Sequence, residues 1–317
     1  MSGPRSILAF GELLWDLLPG GAATLGGAPF NFAYRVKEQG DRARIVSRLG
    51  RDDYGRRAAE RLAALGMSDA CVQWDDRRPT GTVIVSLDGA GQPDYVIVPD
   101  VAYDRVEATD AVLTEAARAD CICFGTLIQR TAGARAALRA ILDAAPATAV
   151  RLLDINLRKD CHSPESIAAS LEEATILKLN ETEAAALAGL FDLPDRSIPA
   201  FCAEMIGRWD LTHCVVTLGA CGAFADGAET GPVYEPGYRV AMVDPLGSGD
   251  AFVAAFICRL LRGEPLGTCL HHGNVLGAIV ATQAGATEPI DSEVREAFTA
   301  SHHERLVEPS LKTFMNG

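Results

Sequence analysis

Short apolar runs alternate with helix-forming stretches through most of this chain, and that alternation restricts the fold more than any other feature. Cys121–Phe124, Ala149–Asp154, Ile176–Leu179 and Cys214–Leu218 are short and rich in apolar residues, as strands are. Ala132–Ala144, Ser166–Ala174, Glu181–Ala188 and Ile198–Trp209 fill the gaps between them with helix formers. Parallel neighbours cannot be joined by a tight turn; they need a crossover of a dozen or more residues, usually a helix. The same alternation opens the chain. Ser6–Phe10 reads as a strand, Phe30–Gln39 as a helix with Pro29 in its first turn, Arg44–Leu49 as a strand, and Tyr54–Leu65 as a helix ended by Gly66. Ala251–Leu261 and Gly273–Gln283 read as the last helices. The pattern predicts an α/β chain with a mostly parallel sheet covered on both faces.

One stretch breaks the alternation. Thr82–Leu87 and Tyr95–Val98 are β-branched and aromatic, and they flank the polar, glycine-containing Asp88–Pro93. That is a hairpin signal. It predicts a small β-rich insertion, joined by the segment around Leu13–Leu25.

Composition narrows the partners. Forty-eight per cent of the 317 residues are apolar, enough to bury a large core. Lys and Arg total 29 against 42 Asp and Glu, a net charge of −13. That balance argues against nucleic acid held by bulk positive charge and against anionic membrane surfaces. A small anion remains compatible, because backbone N–H groups can hold phosphate against the net charge. The odd count of nine cysteines is no disulfide framework, and Cys121 and Cys123 read as buried apolar residues. Met1–Gly11 reads as neither a signal peptide nor a spanning helix, so the expected compartment is the cytoplasm.

The segment richest in chemistry is Val243–Phe252. Gly247-Ser248-Gly249 precede the start of an apolar helix. Small residues let a ligand approach the backbone, and the first N–H groups of a helix lack internal partners and carry partial positive charge. This makes an anion cradle with Asp250 at its edge. On local pattern alone, Asp250 reads as a helix N-cap before it reads as a catalytic carboxylate. Other nucleotide motifs fail. There is no G-x-x-x-x-G-K-[ST], and Phe252 stands where a dinucleotide fingerprint needs glycine or alanine. The adjacent pairs His271-His272 and His302-His303 read as solvated surface.

Asp244-Pro245-Leu246-Gly247-Ser248-Gly249-Asp250-Ala251-Phe252 resembles the C-terminal signature of the ribokinase-like (PfkB) sugar kinases, D-T-x-G-A-G-D-x-F. Gly26-Gly27 followed by Asn31 resembles the N-terminal signature. Asn180-Glu181-Thr182-Glu183 fits the N-x-x-E motif, and Val216–Ala223 fits the T-x-G-x-x-G segment. The motifs occur in the family's order and span nearly the whole chain. Gly11–Asp16, Pro79–Thr82 and Asp154–Arg158 resemble the fructokinase-like branch. Pro245, Ser248 and Ala255 depart from the pattern.

The resemblance implies a three-layer α/β/α core of residues 1–12, 33–78 and 106–317, with a β lid of 13–32 and 79–105. It implies transfer of the ATP γ-phosphate to a sugar hydroxyl. Asp250 would be the general base, and Gly247, Ser248 and Gly249 the anion hole. Asp16, Gly27, Asn31 and Arg158 would bind sugar, fructose first. Asn180, Thr217, Gly219, Gly222 and Asn274 would line the nucleotide site. Asn180 and Glu183 would support Mg²⁺ through water, and Asp244 a monovalent cation, K⁺. A homodimer through the lid is expected. The alternatives are a 2-keto-3-deoxygluconate kinase, in which Arg158 meets a carboxylate, a nucleoside kinase, and a sensor that binds sugar or nucleotide without turnover.

Overall fold

The computed structural model describes residues 3–87 and 93–315. The first strands are β1 (Ser6–Phe10), β2 (Leu14–Leu17) and β3 (Ala23–Gly26), then helix α1 (Ala28–Glu38), β4 (Arg42–Gly50) and α2 (Asp53–Ala64). Next come β5 (Val72–Asp75), β6 (Gly81–Leu87), β7 (Pro93–Ile97), α3 (Asp110–Ala116), β8 (Cys121–Phe124) and α4 (Ala132–Ala144). The middle holds β9 (Val150–Asp154), α5 (Pro164–Glu173), β10 (Ile176–Asn180), α6 (Glu181–Leu190), α7 (Ile198–Trp209) and β11 (His213–Thr217). The chain ends with β12 (Ala223–Gly227), β13 (Val233–Glu235), β14 (Gly237–Tyr238), α8 (Ser248–Leu260), α9 (Leu266–Ala281), α10 (Ser292–Ala300) and β15 (Arg305–Leu306).

Nine strands form the main sheet in the order β13-β12-β11-β10-β9-β8-β1-β4-β5. Every pairing from β11 to β5 is parallel, and β12 alone runs against its neighbours β11 and β13. Alternate residues of each strand feed opposite faces. Ile122 and Phe124 of β8 pack in the core shared with α3 to α7, whereas Cys121 and Cys123 pack in the core shared with α1, α2, α8 and α9. Both thiols therefore point to one face. They are fully enclosed, and burial pushes them far above the usual thiol range. The result is the ribokinase-like three-layer α/β/α fold.

A second sheet, β3-β2-β6-β7, stands apart from the first. It contains the hairpin expected from residues 82–98; the expected turn falls on residues 88–92, outside those described. In it β2 and β6 run parallel, bringing Asp16 opposite Val83 and Leu17 opposite Ile84.

Two helix starts differ from the sequence reading. Helix α8 starts at Ser248 rather than Ala251, because Gly247 takes the left-handed conformation (φ 78°) and caps it. Asp250 is consequently in the first turn and is not the cap. Helix α9 starts at Leu266, right after Pro265, so His271 and His272 lie within it. Of the four histidines His302 is exposed as expected, and the other three are partly buried. His271 sits 3.2 Å from Glu235, and the His303 ring stacks on Phe298 at 4.0 Å. Among the described residues no helix is long and apolar enough to cross a membrane.

Candidate active site

The parallel strands end on one side of the main sheet, and there the chain encloses a cavity of about 1430 Å³. This is where ligands bind in open α/β sheets. Glu12 follows β1, Asn156 and Arg158 follow β9, Lys178 and Asn180 end β10, Thr217 ends β11, and all line it. The small sheet roofs one end with Asp16, Thr24, Val83, Val85, Tyr95 and Ile97. The opposite wall is Asn274 with the first turn of α8.

The first turn of α8 lines the cavity. The N–H groups of Gly247 and Gly249 have no hydrogen-bond partner among the described residues, as the start of a helix dictates. Ser248 differs from expectation, since its N–H and its hydroxyl both donate to the Pro245 carbonyl, at 3.2 and 2.8 Å. The cradle is therefore made by the two glycines, and Ser248 braces the turn. A Cβ at Gly247 would lie 2.3 Å from the Ala286 methyl, so this position needs glycine for space as well as conformation.

Asp250 faces the same space. Its Oδ2 accepts from Asn31 Nδ2 at 2.9 Å. Burial raises its pKa to about 6 with help from Asp154, against the Asn31 hydrogen bond, Lys178 and Arg158. A helix N-terminus favours the ionised form of a carboxylate, but here enclosure and a second carboxylate outweigh it. Asn31 is buried, and its Oδ1, itself enclosed, has no hydrogen-bond partner among the described residues.

Gly27 owes its identity to close approach. Its φ is 112°, and a Cβ there would meet the Glu12 carbonyl oxygen at 2.4 Å. Asp16 lines the roof, and burial raises its pKa while Arg158 lowers it. Arg158 makes no ion pair within 4 Å among the described residues and is exposed at the cavity edge. Thr217, Gly219 and Gly222 line the far end. Asn274 lines it too, with its amide donating to the Glu235 and Pro236 carbonyls at 3.0 and 3.2 Å.

Glu183 stands off the cavity. Its carboxylate accepts from Asn180 N and Leu157 N, each at 2.9 Å, while Asn180 Oδ1 accepts from Glu183 N at 2.9 Å. This is a closed capping box. It fixes the β10–α6 corner and the loop that carries Arg158. Asp244 is similarly engaged, its two oxygens taking Leu246 N at 2.9 Å and Gly285 N at 3.2 Å. Neither carboxylate forms a metal cage, and no group of three or more acidic, His or Cys side chains among the described residues does.

Two site residues escaped the sequence reading. Lys178 is buried, its Nζ 3.0 Å from Asp154 Oδ1 and 3.6 Å from where a Gly249 Cβ would be. Burial opposes its charge, but Asp154, Glu183 and Asp250 hold its pKa above the usual lysine value. Glu12 is buried beside Asp250, and burial raises its pKa to about 7. Each is a charge within or beside an apolar run, as Asp16 is within Leu13–Leu18.

Residues 19–293 match the pfkB family carbohydrate kinase profile. The chain belongs to the pfkB family of carbohydrate kinases. It is a phosphotransferase acting on a sugar hydroxyl. It is 29% identical over 321 residues to "Fructokinase-1" of Oryza sativa subsp. japonica, covering 91% of this chain and 95% of that protein. It is 30% identical over 273 residues to the "2-dehydro-3-deoxygalactonokinase" of Haloferax volcanii, covering 82% of each. The crystal structure of a fructokinase with bound ATP from Xylella fastidiosa superposes with a TM-score of 0.80 at 21% identity, over 92% of this chain and 97% of that one.

Proposed function

We propose that this carbohydrate kinase uses ATP and that fructose is its preferred acceptor. One observation carries the mechanism: Asp250, held by Asn31, sits in the same helical turn as the free N–H groups of Gly247 and Gly249. Asp250 takes the proton of the attacking sugar hydroxyl. That oxygen bonds to the γ-phosphorus as the bond to the β,γ-bridging oxygen breaks, and ADP leaves. A base with a pKa near 6 is ionised at neutral pH yet still basic enough to help. The two N–H groups and Lys178 meet the charge on the moving phosphoryl group, which an alcohol nucleophile alone cannot offset. Asn180, which lines the cavity wall, would face a Mg²⁺ ion bound with the nucleotide, and such an ion would offset phosphate charge. The Asp16 carboxylate accepts from sugar hydroxyls, which selects against analogues lacking them.

The small sheet acts as the lid. Its inner face, with Asp16, Val83 and Tyr95, covers the sugar end. Its outer face leaves Ile84 and Val96, paired across the hairpin, 47% and 50% exposed. Such a face calls for a cover, and a second copy of the lid supplies it in a homodimer. The expected setting is the cytoplasm.

A second reading has its own support. Arg158 is free of ion pairs at the sugar end, and a guanidinium there suits a substrate carboxylate. The relative named for a 2-dehydro-3-deoxy sugar acid points the same way. Comparing kcat/KM for fructose and for 2-keto-3-deoxygluconate by ADP release separates the two. Fructose ahead supports the first reading, and the acid ahead overturns it in favour of the second.

A further inference from the structure

Arg35 is fully buried, at 0% exposure. An ionised side chain in that position is costly unless every donor is met. Here four hydrogen bonds are made, three of them to the chain segment that follows α9. Arg35 Nε and Nη2 donate to the Ala286 carbonyl at 3.1 and 2.6 Å, and Nη1 donates to the Glu288 carbonyl at 2.9 Å. Nη1 also reaches Glu38 at 2.5 Å, and the same Glu38 accepts from Ile290 N at 3.0 Å. Residues 284–288 form a strap along the cavity wall. The strap bears directly on the anion cradle, because Ala286 packs onto Gly247 and Gly285 N bonds Asp244.

The same helix reaches the other half of the site. Asn31, one turn before Arg35 on α1, holds Asp250. So α1 touches the base with one residue and the wall of the phosphate cradle with another. Apolar packing would pin a helix to a loop at less cost. A guanidinium adds a fixed fork that sets two carbonyls and a carboxylate in one geometry. We propose that Arg35 is a positioning residue that ties the strap to α1, so that the ATP-side cradle is held in register with the sugar-side base. This rests on the ATP-dependent reading above.

The test is steady-state kinetics of Arg35→Gln and Arg35→Lys, with fructose binding measured without nucleotide and Tm recorded. The expected result for Arg35→Gln is a fall in kcat/KM for ATP of about 100-fold, the scale of a small misplacement at a reacting centre. Fructose affinity should stay within about twofold, since no contact to the sugar end is lost. Arg35→Lys should restore only part, because an ammonium cannot span both carbonyls. A folded Arg35→Gln enzyme with unchanged kcat and KM for ATP overturns the proposal. So do fructose and ATP affinities that fall together with Tm. If Arg35→Gln does not fold, Glu38→Gln serves, because it loosens Arg35 and Ile290 while leaving the carbonyl bonds. It should raise KM for ATP about tenfold, and an unchanged value overturns the proposal. A wild-type protein that makes no ADP with any sugar refutes the kinase reading instead, whatever the variants do.

Discussion

At the scale of single residues, the account depends on the environment of Asp250. Burial and Asp154 raise its pKa to about 6, so below that pH it is protonated and cannot accept the hydroxyl proton. The acid limb of kcat/KM should therefore bend near pH 6; activity undiminished at pH 5 would contradict this. Stability should show the linked effect. A carboxyl whose pKa is raised by folding favours the folded state at low pH and loses that contribution as pH rises through about 6. Asp250→Asn avoids the loss. It should raise Tm at pH 7.5 by about 2–4 °C, with the gain fading toward pH 4, as thermal denaturation would reveal. Lys178 supplies the opposing charge. Lys178→Met should move the acid limb to higher pH and lower kcat about 100-fold; a limb that stays put would remove Lys178 from the site. Asp250 and Asn31 were legible through the signatures they belong to, since local pattern alone reads Asp250 as a helix cap. Lys178 and Glu12 were not, since one charge in Ile176–Leu179 or next to Gly11 does not say which carboxylates will surround it.

At the scale of elements, turns place the chemistry. Gly247 joins a left-handed φ to contact with Ala286, so Gly247→Ala meets both strain and a clash. The expected outcome is a loss of stability of about 2–3 kcal/mol together with a fall in kcat of about 100-fold. A folded, fully active Gly247→Ala enzyme would remove the αL cap from the account. Glu183 shows that a motif expected to serve a ligand also carries structure. The resemblance gives Asn180 and Glu183 a Mg²⁺ ion through water, and their helical spacing of three also builds a capping box. The carboxylate closes on Asn180 N and Leu157 N. Glu183→Ala should thus lower stability by about 1–3 kcal/mol and weaken sugar binding through the Arg158 loop, with Mg²⁺ dependence unchanged. The α8 and α9 starts were misjudged for a related reason. Gly247 and Pro265 set them through backbone conformation, whereas apolar periodicity marks only the turns that face the core.

At the scale of the whole molecule, the alternation of strands and helices sufficed for the layered sheet, because parallel strands leave few other ways to bury both faces. The far edge was less legible. Strands β13, β14 and β15 are two or three residues long and have no period to read. The charge of −13 is answered locally, by two free N–H groups, Lys178 and Arg158 around one cavity. The exposed pair Ile84 and Val96 belongs to this scale as well. Light scattering should find a dimer at micromolar concentration, with Ile84→Glu/Val96→Glu monomeric; a monomeric wild type would contradict the lid-to-lid arrangement. The most direct test of the central claim is ADP release from MgATP with fructose, comparing wild type and Asp250→Asn. The account predicts fructose-dependent ADP release by the wild type and a kcat lower by about 10³-fold in Asp250→Asn with fructose affinity retained. Near-equal turnover by the two proteins would contradict it.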